Sequence, residues 1–274
     1  IVLHSTNFSE VFVYHFLSDG DFSFLLTLGA IACCFAVVTL TVKILSQRSG
    51  SGISMKTLQL YSMVFFFRLC SILVYEGYLP FDRSGDWLYQ TIEALALITT
   101  VVNIVLLLGP YSRTYSAHLD VFGTYPAFKI PSSLGIVWIV VPCLLLSLIV
   151  HPSLNGNFLT DVSWTFSCYL ETFAMLPQLF LFTKKKSTNA VVEDFTSHFV
   201  FALGCGRFLH FIFWLSSYHE LNDSHHNGSG GLAGYVVVSF QFLQMLLMAK
   251  YFYHYLKSAA TGAPLELPTH LSNV

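Results

Sequence analysis

The stretch Ser163 to Phe182, SWTFSCYLETFAMLPQLFLF, constrains the fold of this chain more than any other. It is about as long as the ~20 residues a helix needs to cross a bilayer. It carries a carboxylate, Glu171, near its middle and a Pro177-Gln178 pair near its end. A charge at the centre of hydrocarbon costs about 3 kcal/mol or more, so a helix keeps one there only where other protein groups partner it. Proline in such a helix frees a backbone carbonyl that neighbouring helices must satisfy. The segment implies a bundle with a polar interior.

The rest of the chain agrees. Of its 274 residues, 54% are hydrophobic and 10% charged, where a globular protein carries roughly 25% charged residues. A soluble core cannot hide that much apolar surface, so the reading is a polytopic protein of the lipid bilayer. A formal net charge of −2 argues against a nucleic-acid partner. Six cysteines (Cys33, Cys34, Cys70, Cys143, Cys168, Cys205) all fall inside apolar runs, which suggests no disulfide framework. No basic segment precedes a short apolar one, so no cleavable signal peptide is expected.

Apolar runs predict helices at about 24–46, 58–75, 91–108, 131–150, 163–182, 196–217 and 232–256. Connections are short and hold Gly, Pro, Ser or Asn. Charge orients the bundle. Lys43, Arg48 and Lys56 flank loop one, Arg113 and Lys129 loop three, Lys184, Lys185 and Lys186 loop five, and Lys257 follows the last helix. The opposite loops hold one basic residue, Arg83, and many acids, among them Glu10, Asp82, Asp161 and Glu220. Basic loops mark the cytosolic side. The expected organisation is a lumenal segment (1–23), a seven-helix transmembrane domain (24–257) and a cytosolic tail (258–274). Sequons at Asn7, Asn222 and Asn227 fall in segments assigned to the lumen.

Five ionisable residues lie within the spans: Arg68, Glu93, Glu171, Arg207 and Lys250. Arg68 and Arg207 sit near mid-span of helices two and six. If helices one to three and five to seven are repeats joined by helix four, the two arginines occupy equivalent places. Such designs put their site at the repeat interface near the midplane. Buried arginines need anions. Glu93 and Glu171 supply them in a structural ion-pair network; the alternative is a cavity that captures an external carboxylate. Lys184–Lys186 read as a topology determinant and Lys250 as a snorkelling side chain. Trp87, Trp164 and Tyr218 read as interfacial anchors. No metal-ligand cluster, cofactor motif or nucleophile–base spacing appears, which argues against an enzyme.

Three blocks carry a resemblance to a known family. GISMKTLQLYSMVFFFRL (Gly52–Leu69), WTFSCYLETFAMLPQLF (Trp164–Phe180) and FTSHFVFALGCGRFLHFIFWL (Phe195–Leu215) resemble the ER lumen protein-retaining receptors, the KDEL receptors. The resemblance runs from about Leu26 to Pro268. IVVPCLLLSLIVHPS is similar to the longer, divergent branch found in plants. It implies an all-α membrane protein of seven transmembrane helices, two three-helix bundles joined by helix four, as in SWEET and PQ-loop transporters. It implies binding of C-terminal Lys/His-Asp-Glu-Leu signals in the acidic Golgi and return of the bound proteins to the ER in COPI-coated vesicles.

Carried over, Arg68 matches the arginine that holds the ligand's terminal carboxylate, and Trp164 the tryptophan near the ligand. Asp161 stands where the family has a lumenal-side glutamate. Glu171 and Arg207 match the buried glutamate and arginine of the switching core. Other positions depart. The family's first-helix arginine falls at Leu26, its pH-sensing histidine at Cys33, an aspartate near the ligand's lysine at Ser71, a tyrosine at Gly206 and a further arginine at Ser217. The helix-seven aspartate is replaced by Lys250. His210, one turn after Arg207, shares its face and is a candidate replacement sensor; the plainer expectation is a neutral core histidine bonded to a carbonyl. The leading reading is a retrieval receptor, or a receptor-like protein with an altered signal preference. The alternatives are a small-solute transporter of the SWEET or PQ-loop type, which a single Pro-Gln pair disfavours, and a receptor-like protein without ligand.

Overall fold

The computed structural model describes residues 23–74, 86–124, 134–152, 156–187, 194–223, 233–262 and 265. Their regular structure is helical throughout: α1 Ser23–Gln47, α2 Met55–Ile72, α3 Asp86–Leu108, α4 Val137–Ile149, α5 Phe158–Phe173, α6 Leu176–Ser187, α7 Asp194–Asp223 and α8 Ala233–Thr261. Among the described residues four stretches are long and apolar enough to cross a membrane: Phe24–Gln47, Trp87–Leu108, Thr196–Ser217 and Gly234–Thr261. Large apolar side chains such as Phe35, Val105, Ile149 and Leu246 point outward, as a lipid-facing surface requires.

The expected fifth span is two helices. α5 ends at Phe173 and α6 begins at Leu176. Pro177 has no N–H to give, and its ring collides with the carbonyl four residues back, so the ladder cannot continue. Around the break, Glu171 O accepts from Ala174 N at 3.3 Å and from Gln244 Nε2 of α8 at 3.1 Å. A neighbouring helix thus supplies a donor beside the interrupted ladder. α5 also starts earlier than hydropathy suggests, at Phe158, because Asn157 caps it by accepting from Leu159 N at 3.1 Å. Helix four is shorter than its apolar run. It spans 13 residues, Val137–Ile149, and its successor Val150 is extended. At about 1.5 Å per residue this is ~20 Å of helix.

The packing order is regular. α3 packs on both α1 and α2, and α8 packs on both α7 and α5. The strongest contacts across the middle are α1 with α7 and α2 with α5, while α4 lies against α5. At the α1–α7 crossing two glycines meet. A Cβ on Gly206 would stand 2.5 Å from Cys33 Sγ and 2.6 Å from Gly29 O. Small residues let membrane helices approach to backbone contact.

The aromatics divide. Trp87 is 73% exposed at the start of α3, where an interfacial anchor belongs. Trp164 is 2% exposed and packs edge-on against Trp214 at 5.3 Å, so it is a core residue and the anchor reading of it is corrected. Lys250 is exposed on α8. Asn222 falls in the last turn of α7; Asn7, Asn227, Arg83, Lys129 and the side chains of Lys185, Lys186 and Tyr218 lie outside the described residues.

Candidate functional site

The buried charges of four helices converge. Arg68 of α2 is 3% exposed, Glu171 of α5 1%, and Arg207 of α7 is fully buried; Glu93 of α3 and His210 of α7 are buried beside them. Glu171 bridges the arginines: Oε2 meets Arg68 Nη2 at 2.8 Å and Oε1 meets Arg207 Nη1. Arg68 Nη1 also reaches Glu93 Oε1 at 3.3 Å. The internal network anticipated from the sequence is therefore formed, with Glu171 at its centre. Arg207 lies over the ring of Tyr61, its guanidinium carbon 5.7 Å from the centroid, a cation–π contact. Arg207 Nε and Nη2 have no hydrogen-bond partner among the described residues.

His210 does share the face of Arg207. Its Nδ1 is 3.2 Å from Arg207 Nη1 and its Nε2 is 3.1 Å from Leu26 O. A guanidinium only donates and a carbonyl only accepts. The ring is therefore the neutral tautomer with its proton on Nε2, donating to α1 and accepting from Arg207. A second proton would aim an N–H at a guanidinium. The arrangement is the neutral, carbonyl-bonded histidine, and it ties α7 to α1. Gly29 makes room for it: a Cβ there would lie 2.3 Å from the imidazole Cδ2.

Of the six residues singled out from the sequence, Arg68, Glu171, Arg207 and His210 form this one cluster. Asp161 and Trp164 lie above it on α5, both buried. Asp161, Trp164, Cys168 and Glu171 follow a three–four–three spacing, which puts them on one helix stripe. Asp161 to Glu171 is about 15 Å along the axis, so Asp161 marks the far end of that stripe. Asp161 also occupies the first turn of α5, where the helix dipole favours a negative charge.

Sequence reasoning missed Tyr61, Tyr89 and Gln244 as members of this region. The signal for the last was present. Gln241 and Gln244 are two amides one turn apart in an otherwise apolar stretch of α8, residues 240–249, and both are buried. Among the described residues no group of three or more His, Cys, Asp or Glu is suited to a metal ion.

A second polar cluster closes one end of the bundle. Gln178 Oε1 accepts from Ser54 N at 2.8 Å while its Nε2 donates to Gly52 O at 2.8 Å, so the Pro-Gln amide clamps the α1–α2 loop. Gly52 has φ 77°, a left-handed turn that favours glycine. Asp120 Oδ1 accepts from Ser54 Oγ at 2.9 Å, and its Oδ2 from Tyr115 Oη at 2.7 Å and Lys56 N at 3.4 Å. Burial, and then the Asp120 charge, hold the Tyr115 phenol well above its ordinary pKa. Lys43 Nζ donates to Ser51 O at 2.6 Å and Lys56 Nζ to Phe122 O at 2.7 Å. Two of the basic residues that marked loop one are thus buried against backbone carbonyls, Lys43 within that loop and Lys56 across to the α3–α4 connection.

A family model described as ER lumen protein retaining receptor matches residues 49–217. The chain belongs to that receptor family. The match contains every side chain of the ion cluster. It is 32% identical over 241 residues to an ER lumen protein-retaining receptor of Drosophila melanogaster, covering 88% of this chain and 96% of that one. Receptor B of Arabidopsis thaliana is 30% identical over 236 residues, 85% of this chain and 93% of that one. A Petunia hybrida receptor is 28% identical over 236 residues, 85% and 93% of the two chains. With several membrane-length helices, this member of the ER lumen protein-retaining receptors is a multi-pass membrane protein of the ER and Golgi system.

Proposed function

We propose that the protein is a retrieval receptor that binds the C-terminal signals of lumenal ER proteins and returns them from the Golgi to the ER, with a signal preference of its own. The observation that carries this reading is Arg68, a guanidinium held in the middle of the bundle and aimed by Glu171, in a chain of this family. A guanidinium fork is matched to a terminal carboxylate. Trp164 and Asp161 line the same α5 stripe and would follow the signal toward the lumen, while Glu171, Arg207 and His210 hold the floor of the site.

The packing order supports a repeat architecture of the SWEET and PQ-loop kind. In each half the third helix packs on the other two, and the cross-contacts α1–α7 and α2–α5 set the first helix of each half against the second helix of the other, as a two-fold arrangement of repeats requires. α4 is then the linker, and Arg68 and Arg207 are the equivalent residues of the two halves. The basic ends face the cytosol, with the N-terminus lumenal and the C-terminus open to COPI coat. The clamp by Gln178 also fits a small-solute carrier of that fold; transport of a solute into vesicles without any peptide binding would favour that second reading.

Two experiments test the proposal. A library of peptides with randomised C-terminal ends, offered to purified full-length protein at acidic and neutral pH, should yield binders that lose affinity on C-terminal amidation. Binders indifferent to amidation would refute carboxylate capture at Arg68. A C-terminal tag should be reached by antibody after selective permeabilisation of the plasma membrane; protection of the tag would reverse the orientation.

A further inference from the structure

The two carboxylates of the cluster are not equivalent. Glu171 puts one oxygen on each of two arginines. Glu93 makes a single ion pair with the cluster, at 3.3 Å, and is otherwise held by a hydrogen bond from the Tyr89 hydroxyl of its own helix. Charge-assisted N–H···O bonds are usually about 2.7–2.9 Å, so Glu93 is the weaker of the two anions on Arg68. The Arg68 fork is split between them: Nη2 serves Glu171 and Nη1 serves Glu93. Nη1 is the donor that an incoming carboxylate would need.

The charge count sharpens the point. Two guanidiniums and two carboxylates sum to zero. A third carboxylate, entering with both others in place, would leave a buried negative charge without a counter-ion, which a dehydrated site does not tolerate. Among the described residues, the titratable groups that face Glu93 offer no replacement: Arg68 on α2, Glu171 on α5, Tyr89 on α3 itself, and Cys33 and Cys34 on α1. Only Arg68 among these is a cation. A ligand carboxylate therefore takes Arg68 Nη1 only as Glu93 gives it up and takes a proton from the solvent, since none of these groups is a second cation that could pair the displaced carboxylate.

We infer that Glu93 is a resident stand-in for the ligand's terminal carboxylate, occupying Arg68 Nη1 in the ligand-free protein and yielding it when a peptide C-terminus binds. The inference rests on the retrieval reading and adds a specificity device to it. Every ligand competes with an internal carboxylate, so weak carboxylates are rejected and only a signal with further contacts along the α5 stripe displaces Glu93. Glu93 also keeps Arg68 paired while the site awaits a ligand.

The test compares wild type, Glu93→Gln and Glu93→Asp as full-length protein in lipid nanodiscs. The probe is the randomised C-terminal peptide library, as free acids and as amides. Gln keeps the volume of Glu93 and removes its charge. Free-acid affinity is expected to rise about tenfold or more, one charge-assisted hydrogen bond's worth, and amide affinity to stay as it was. Asp keeps the charge and draws it back from Arg68, so it gives a smaller gain in the same direction and serves if the Gln variant does not fold. A merely structural Glu93 would move acids and amides alike. If wild type prefers free acids and neither variant binds them more tightly, the inference is overturned and the retrieval reading stands. If no form of the protein prefers acids to amides, carboxylate capture at Arg68 fails, and the stand-in role fails with it.

Discussion

The ion cluster at the heart of the bundle and the Asp120–Gln178 cluster at its end are both buried and polar, yet they are completed differently. At the end, each oxygen of Asp120 and both amide atoms of Gln178 are engaged, chiefly by backbone groups and hydroxyls of nearby loops. In the heart, partners come from α2, α3, α5 and α7, and they are formal charges. That cluster is neutral in sum but incomplete in detail, with Arg207 Nε and Nη2 unmatched among the described residues. A satisfied hydrogen-bond network rigidifies its surroundings, whereas a partly satisfied one is where an arrangement can change. The end cluster reads as a lock and the heart as a site.

The largest effect should come from removing the centre of the heart. Glu171→Gln leaves Arg207 without its carboxylate, and breaking a buried pair costs about 3–5 kcal/mol. Thermal unfolding in detergent should show a large fall, and peptide binding should go with it. Wild-type stability in this variant would mean that the arginines do not depend on Glu171, and the contrast between the clusters would collapse.

A smaller loss is expected at the lock. Asp120→Asn weakens the bonds from Ser54, Tyr115 and Lys56, worth about 2 kcal/mol together when net hydrogen bonds contribute about 1 kcal/mol each. Stability should drop while affinity for free-acid peptides holds. If affinity falls in step with stability, the end cluster is part of the site and the division is wrong.

The smallest effect is predicted for pH. His210→Gln should cost about 1 kcal/mol, the net worth of a hydrogen bond, because Gln can still donate to Leu26 O. Since His210 is held neutral between a carbonyl and a guanidinium, the ratio of peptide affinities at acidic and neutral pH should match wild type. A changed ratio would restore His210 as a sensor.

Much of the heart is legible in the sequence. Arg68, Glu171 and Arg207 announce themselves as charges in apolar runs, and the rule that such charges need partners links them. Glu93 is available there as a partner, but its rank below Glu171 is not: that depends on the lengths of two contacts to Arg68, 3.3 Å against 2.8 Å. The lock is less legible. Lys43 and Lys56 count as loop charges in any tally of basic residues, and only the folded chain shows their ammonium groups turned onto Ser51 O of the same loop and Phe122 O of the α3–α4 connection.

Sequence alone determined the class of this protein. Long apolar runs dictate membrane helices because lipid leaves backbone groups no other partner, and the motif blocks carry the family. Tertiary structure decided where the fifth run breaks and how it is mended. Pro177 forbids a straight helix locally, but Gln244 of α8, far away in sequence, bonds the carbonyl of Glu171 at the break. It decided that Trp164 is core and Trp87 is rim. It also set the spacing of α1 and α7, since Gly29 and Gly206 matter only because their helices cross there. Hydropathy is a property of each segment; which polar atoms meet is a property of how segments far apart in the chain pack.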